Sequence, residues 1–208
     1  MKKIFILFTV LALSLSANAQ VKFGVKGGLF TFNVAGSIKL KSPTDSFKLA
    51  IKNASYGYNF GVFSEIKAGP VFFRPEVVFN SNKVDYTLKN LKTPNADTLR
   101  SERYNNIDIP FMIGKKIGPL NVILGPVAHI SVGGTSTLTN TAGYSTKFAT
   151  ALWGGQVGLL ANLGEKLVLD FKYEFNFDKF GSNITYNGTQ YSFAKTPRRF
   201  MLGLGYKF

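Results

Sequence analysis

The chain has 208 residues, with 25 Lys and Arg against 11 Asp and Glu (net charge +14), 21 Gly, 20 Phe, 9 Tyr and no Cys. That length suits one domain, and without cysteine there is neither a disulfide framework nor a cleavage-site thiol to carry lipid. Helix-favouring runs of Ala, Glu and Leu are missing, and past residue 19 no stretch is long and apolar enough for a transmembrane helix, so a place in a membrane must come from strands.

The chain opens MKKIFILFTVLALSLSANAQ. Lys2 and Lys3 form a positive n-region, Ile4 to Leu15 a short apolar core, and Ala17-Asn18-Ala19 an A-x-A site. This pattern predicts a secretory signal peptide over residues 1–19, cut after Ala19, with the domain over 20–208. Export removes nucleic acid as a natural partner.

Eight segments then alternate with period two. From about Lys22, Phe23, Val25 and Leu29 oppose Gly24, Lys26 and Gly28. From about Gly57, Tyr58, Phe60, Val62 and Ile66 oppose Asn59, Gly61 and Glu65. From about Val71, Phe73, Val77 and Phe79 oppose Arg74, Glu76 and Asn80. From about Tyr104, Ile107, Ile109, Phe111 and Ile113 oppose Asn106, Asp108 and Lys116. The fifth segment carries Leu120, Val122, Leu124, Ala128 and Ile130 on one face; the sixth sets Trp153, Val157 and Leu159 against Gly154, Gln156 and Gly158. In the seventh, Leu167, Leu169, Phe171, Tyr173 and Phe175 oppose Asp170, Lys172, Glu174 and Asn176. The eighth ends the chain, with Phe200, Leu202, Leu204, Tyr206 and Phe208 on one face and Arg199 on the other.

Short turns at Gly69, Gly118 and Gly164 alternate with long polar loops over roughly 34–56, 82–103, 133–148 and 177–197. An even number of strands with this rhythm is an all-β, eight-stranded antiparallel transmembrane β-barrel, with short periplasmic turns and long extracellular loops. A soluble periplasmic, lipocalin-like ligand-binding barrel has the same strand count with its apolar face inside. Three features favour the bacterial outer membrane. The polar face mixes glycine with charges of both signs, the apolar face is bulky with aromatics toward its ends, and strands of about ten residues suit a tilted crossing.

The segments VKGGLFTFN (25–33), YGYNFGVF (56–63), FFRPEVVF (72–79), NIDIPFMIGKK (106–116), ILGPVAH (123–129), WGGQVGLL (153–160), LDFKYEF (169–175) and the terminal LGYKF, in that order, resemble the PorT-like outer-membrane β-barrel proteins of Bacteroidetes. The resemblance implies fold and location, with outer-membrane lipid as surroundings, and no shared biochemical activity. It also implies that the terminal strand, Phe200 to Phe208, is an assembly signal read by the barrel-assembly machinery.

The inward charges are Lys26, Arg74, Lys172 and Arg199 against Glu65, Glu76, Asp108, Asp170 and Glu174. They suit either a proton or ion path or a salt-bridged core that plugs the barrel. Buried charges must be paired, which favours the plug. Arg74, Glu76, Asp108 and Lys172 are expected to pair across the lumen as one unit. His129 is the single histidine, and Ser131 shares its face, but no acid adjoins it in sequence. A hydrolase needs a base beside a nucleophile, so no catalytic residue, cofactor or metal site is assigned, and an enzyme is not expected. No metal-ligand spacing or phosphate loop is present.

The loops are basic: Lys39, Lys41, Lys48 and Lys52 against Asp45, then Lys83, Lys89, Lys92, Arg100 and Arg103 against Asp85, Asp97 and Glu102. Such a fringe suits lipopolysaccharide phosphates or an anionic protein partner, or is simply solvated. The functional expectation is a non-conducting structural or interaction barrel that binds a partner or secretion apparatus through its loops. The alternative is a transport or enzyme barrel working through the lumen. Pro75, Pro110 and Pro126 each remove a donor inside a strand, where a bulge is the expected accommodation.

Overall fold

The computed structural model describes residues 20–33, 37–41, 46–54, 56–90, 98–136, 144–146, 152–177, 184–186, 189–191 and 198–208. The leader with Ala17 and Ala19, and the loop residues Asp45, Lys92 and Asp97, lie outside them. The strands are β1 (Gln20–Asn33), β2 (Ser37–Lys41), β3 (Ser46–Ala54), β4 (Gly57–Ala68), β5 (Val71–Asn90), β6 (Thr98–Ile117), β7 (Leu120–Ser136), β8 (Tyr144–Thr146), β9 (Leu152–Leu163), β10 (Leu167–Asn176), β11 (Ile184–Tyr186), β12 (Thr189–Tyr191) and β13 (Arg198–Lys207).

Eight of these close into a ring in chain order, β1-β4-β5-β6-β7-β9-β10-β13, all antiparallel. The last strand returns to the first through the register Gly24↔Lys207 to Asn33↔Arg198, so no barrel edge is left unpaired. The three tight turns pivot on Gly69 (φ 61°), Gly118 (φ 60°) and Gly164 (φ 74°), a left-handed backbone that glycine adopts without a Cβ penalty. Phe208 N–H donates to the Phe23 carbonyl at 2.9 Å, placing the start of β1 and residue 208 at this short-turn rim. In an outer-membrane barrel that rim is periplasmic.

The apolar face points outward. Leu29, Leu124 and Ile117 are 64%, 61% and 60% exposed, far more than any soluble exterior of bulky aliphatics would tolerate. The lipocalin-like arrangement, with that face inside, is therefore not the one adopted. Aromatics mark the two lipid boundaries: Phe23, Tyr206 and Phe208 at the short-turn end, Tyr58, Trp153 and Phe177 at the other.

Two expectations need correction. First, much of the stretches 34–56 and 82–103 is strand: β5 runs to Asn90, β6 starts at Thr98, and β3 and β2 add to the β5 edge above the barrel. Lysines and asparagines make these segments read as loop, but Val84 and Tyr86 alternate with Lys83 and Asp85, and Leu49, Val84 and Tyr86 are fully buried on the inner side. A second sheet, β12-β11-β8, forms from the other two long connections.

Second, the prolines are not at bulges. Pairing of β5 with β6 stops at Pro75↔Phe111 and resumes at Val78↔Asp108 in unchanged register. Pairing of β6 with β7 stops at Pro110↔Val127 and resumes at Ile113↔Leu124, again without a shift. The bulges fall elsewhere, at Asn105/Asn106 and Ile51/Asn53. Gathering the lost donors on adjacent strands lets the register survive as a short gap. At Gly125, opposite Met112, a side chain would strike the Phe111 carbonyl, so the strands close up there only because Gly125 has none.

Candidate functional site

The lumen is layered. Nearest the short-turn rim, Phe63, Phe72, Met112, Ile123, Leu160 and Val168 form an apolar plug. Sequence reading missed it because these residues share their strands with the lipid-facing set. The available signal was local loss of alternation, as in Val71-Phe72-Phe73 and Leu167-Val168-Leu169, where both faces are apolar. Gly24 and Gly205 stand beside the Phe63 ring; a Cβ at Gly24 would overlap it.

Above the plug lies the first ion-pair cluster. Lys207, reaching in from the short-turn rim beside the plug, places Nζ 3.3 Å from Glu65, and Glu65 is 3.7 Å from Arg74. Arg74 Nε donates to Glu76 at 2.9 Å while its guanidinium stacks 3.8 Å from the Phe63 centroid. Lys172 Nζ donates to both Glu76 carboxylate oxygens at 2.7 Å. Lys26 reaches Glu76 at 3.2 Å and also bonds Asp170. Arg74 and Glu174 are 0% exposed and Lys172 1%, so these ions are held by one another rather than by solvent. Lys207 and Glu102 were not counted from sequence among the inward charges; with them the buried charges are Lys26, Arg74, Lys172, Arg199 and Lys207 with Glu65, Glu76, Glu102, Asp108, Asp170 and Glu174, and Glu102 accepts from the Tyr104 hydroxyl.

A second cluster sits above it, and Asp108 belongs here rather than with Arg74, Glu76 and Lys172 as sequence suggested. His129 Nδ1 is 2.7 Å from Asp108 Oδ1, and its Nε2 is 3.7 Å from Glu174 Oε1. Arg199 spans both acids, 3.2 Å from Asp108 and 2.9 Å from Glu174, and Gln156 donates to Glu174 at 2.8 Å. So His129 does have acidic neighbours, brought from β6 and β10, although none adjoins it in sequence. The ligand atoms of Asp108, His129 and Glu174 lie within 4.8 Å of one another, a spacing that could hold a metal ion. Arg199 already supplies the cation between the two carboxylates. Neither ring nitrogen of His129 is bonded to Ser131.

Between the clusters, a cavity of about 10 Å³ lined by Lys26, Glu76, Asp108, Pro110 and Lys172 has room for about one water.

At the extracellular end, cross-strand pairing aligns the basic residues. Lys39 stands opposite Lys48, and Lys48 opposite Lys89. Lys83 stands opposite Arg103. Lys39, Lys83 and Arg103 are exposed, Lys48 is half-buried, and Lys83 bonds Asp85 at 3.2 Å.

A closed ring of eight antiparallel strands, apolar outside and ion-paired inside, defines an outer-membrane β-barrel, and the protein resides in the bacterial outer membrane. Residues 14–182 match the family of the outer membrane protein beta-barrel domain, and the chain belongs to that family. Among solved structures it is similar to the outer membrane protein AlkL in lipid bilayers (12% identity, TM-score 0.52, covering 91% of this chain and 90% of that one). It is also similar to Neisserial surface protein A (14%, 0.49, 92% and 99%) and to E. coli outer membrane protein W (15%, 0.47, 90% and 97%). At these identities the likeness concerns the fold alone. No curated protein matches the chain.

Proposed function

We propose that this is a non-conducting, non-enzymatic interaction barrel whose working surface is its extracellular end, where it binds an anionic partner. The observation that carries the reading is the lumen filling: an apolar plug beneath two ion-pair clusters, with a one-water cavity between them. A path for ions needs mobile water, and among the described residues every buried lumen charge is already matched to another side chain. A hydrolytic reading lacks a nucleophile: Asp108 orients the His129 ring through Nδ1, as a triad acid would, but among the described residues no hydroxyl is bonded to Nε2.

The test is conductance of the refolded protein in a planar bilayer. No steady opening is expected. Large, salt-proportional openings would move the working surface into the lumen and defeat the reading.

A further inference from the structure

The extracellular basic residues occupy two levels of one sheet face, and this separation carries information. On β5 the outward, odd-numbered positions run Val71, Phe73, Val77 and Phe79 through the lipid-facing belt, then Lys83, Asp85 and Thr87 above it. The boundary is marked by Tyr58, half exposed and paired with Ser81. Lys83 lies two residues above that point, ~7 Å along the strand at ~3.4 Å per residue. Its cross-strand neighbour Arg103 is at the same level. Lys89 lies eight residues above Ser81, ~27 Å along the strand and ~20 Å above the boundary once the strand tilt is allowed for. There the register Lys39↔Lys48↔Lys89 sets three cations side by side on adjacent strands.

Like charges directly opposite in a sheet are destabilising, and Asp85, already bonded to Lys83, is the acid on this face among the described residues. The arrangement is compensated if anions lie against it. The face continues the lipid-facing surface upward, so a molecule anchored in the outer leaflet reaches it without leaving the membrane. A glycerophospholipid carries its phosphate at the boundary and meets Lys83 and Arg103 only. Filling both levels takes a lipid whose headgroup extends well above the membrane and carries phosphate along it.

Resting on the reading of the extracellular end as the working surface, we infer that this face binds a phosphorylated glycolipid of the lipopolysaccharide class. Lys83 and Arg103 take the phosphates of the lipid base, and Lys39 and Lys48 take phosphates of the sugar chain above.

The experiment uses the full refolded barrel in neutral-lipid nanodiscs, with three probes: intact lipopolysaccharide with a phosphorylated core, its lipid A base alone, and the intact molecule after dephosphorylation. Wild type is expected to bind the intact molecule more tightly than the base, and the dephosphorylated one weakly. The double variant Lys39→Glu/Lys48→Glu should lose affinity for the intact molecule by about fivefold per lysine and bind the base unchanged. Lys83→Glu should weaken both. Heat-modifiable mobility of each variant establishes that the barrel has formed. Equal binding of intact lipopolysaccharide by wild type and double variant overturns the inference, as does equal binding of the dephosphorylated molecule. Wild-type binding of a polyglutamate peptide in preference to all three probes also overturns it and points to an acidic protein partner. Conductance of the same preparation reports separately on the plugged lumen.

Discussion

Lys172 on β10 places its ammonium 2.7 Å from both carboxylate oxygens of Glu76 on β5, which lies across the ring rather than beside it. The pair ties opposite walls of the barrel together. Replacing Lys172 with Ala leaves Glu76 and Asp170 short of a counter-charge in a dry interior. The expected cost is ~3–5 kcal/mol, the usual result of breaking a buried pair from one side. Denaturant unfolding of the refolded protein measures it. Adding Glu76→Gln to Lys172→Ala should recover part of the loss, because the uncompensated charge is then gone. A loss below ~1 kcal/mol would mean that water screens this cluster.

Arg199 occupies the space between Asp108 and Glu174 that a metal ion would need. Zinc is therefore expected to leave the melting temperature of the wild-type barrel unchanged. In Arg199→Met the two acids and His129 lose that competing cation, and saturating zinc should raise the midpoint, by an amount corresponding to ~2.7 kcal/mol at a hundredfold excess over Kd. A zinc shift in the wild type would show that Arg199 does not block the cluster.

Pro75, Pro110 and Pro126 thin the hydrogen-bond ladder at three neighbouring strands, β5, β6 and β7. The amides of Val77, Ile109 and Met112 should exchange with deuterium faster than those of the same strands on either side. Pro126→Ala returns a donor opposite Phe111. It should slow local exchange by about fivefold, the equivalent of ~1 kcal/mol for one net hydrogen bond. Uniform protection along β6 in the wild type would contradict this.

Phe208 is 74% exposed on the lipid side and makes an edge contact with Tyr206 at 5.6 Å between centroids. Its ring therefore adds little to the core. Phe208→Ala is expected to leave the unfolding free energy of purified barrel within ~0.5 kcal/mol of wild type while reducing the amount assembled in cells. Equal amounts of heat-modifiable barrel in both membranes would remove the terminal ring as an assembly signal.

Cleavage after Ala19 should leave Gln20 as the first residue of the mature chain. Intact-mass measurement of protein purified from membranes checks it, and a mass that includes Met1 would count against the leader.

The number of barrel strands, the facing of the alternating side chains and the position of the tight turns were legible in the residues. Period-two alternation is a local consequence of the pleat, so Phe171 and Lys172 declare opposite faces without reference to any other strand. Gly69, Gly118 and Gly164 likewise announce their turns by local backbone need. The nine lumen charges were placed inside for the same reason. Their partners were not legible, because pairing depends on how far each strand is staggered against the next around the closed ring, a property of the whole barrel. That stagger brings Asp108, His129 and Glu174 together from β6, β7 and β10, assigns Asp108 to Arg199 rather than Lys172, and lets Lys207 join Glu65. It also turns two polar stretches into paired strands and lines up Lys39, Lys48 and Lys89. Each lysine alone reads as solvated; only the register between strands makes the three a row.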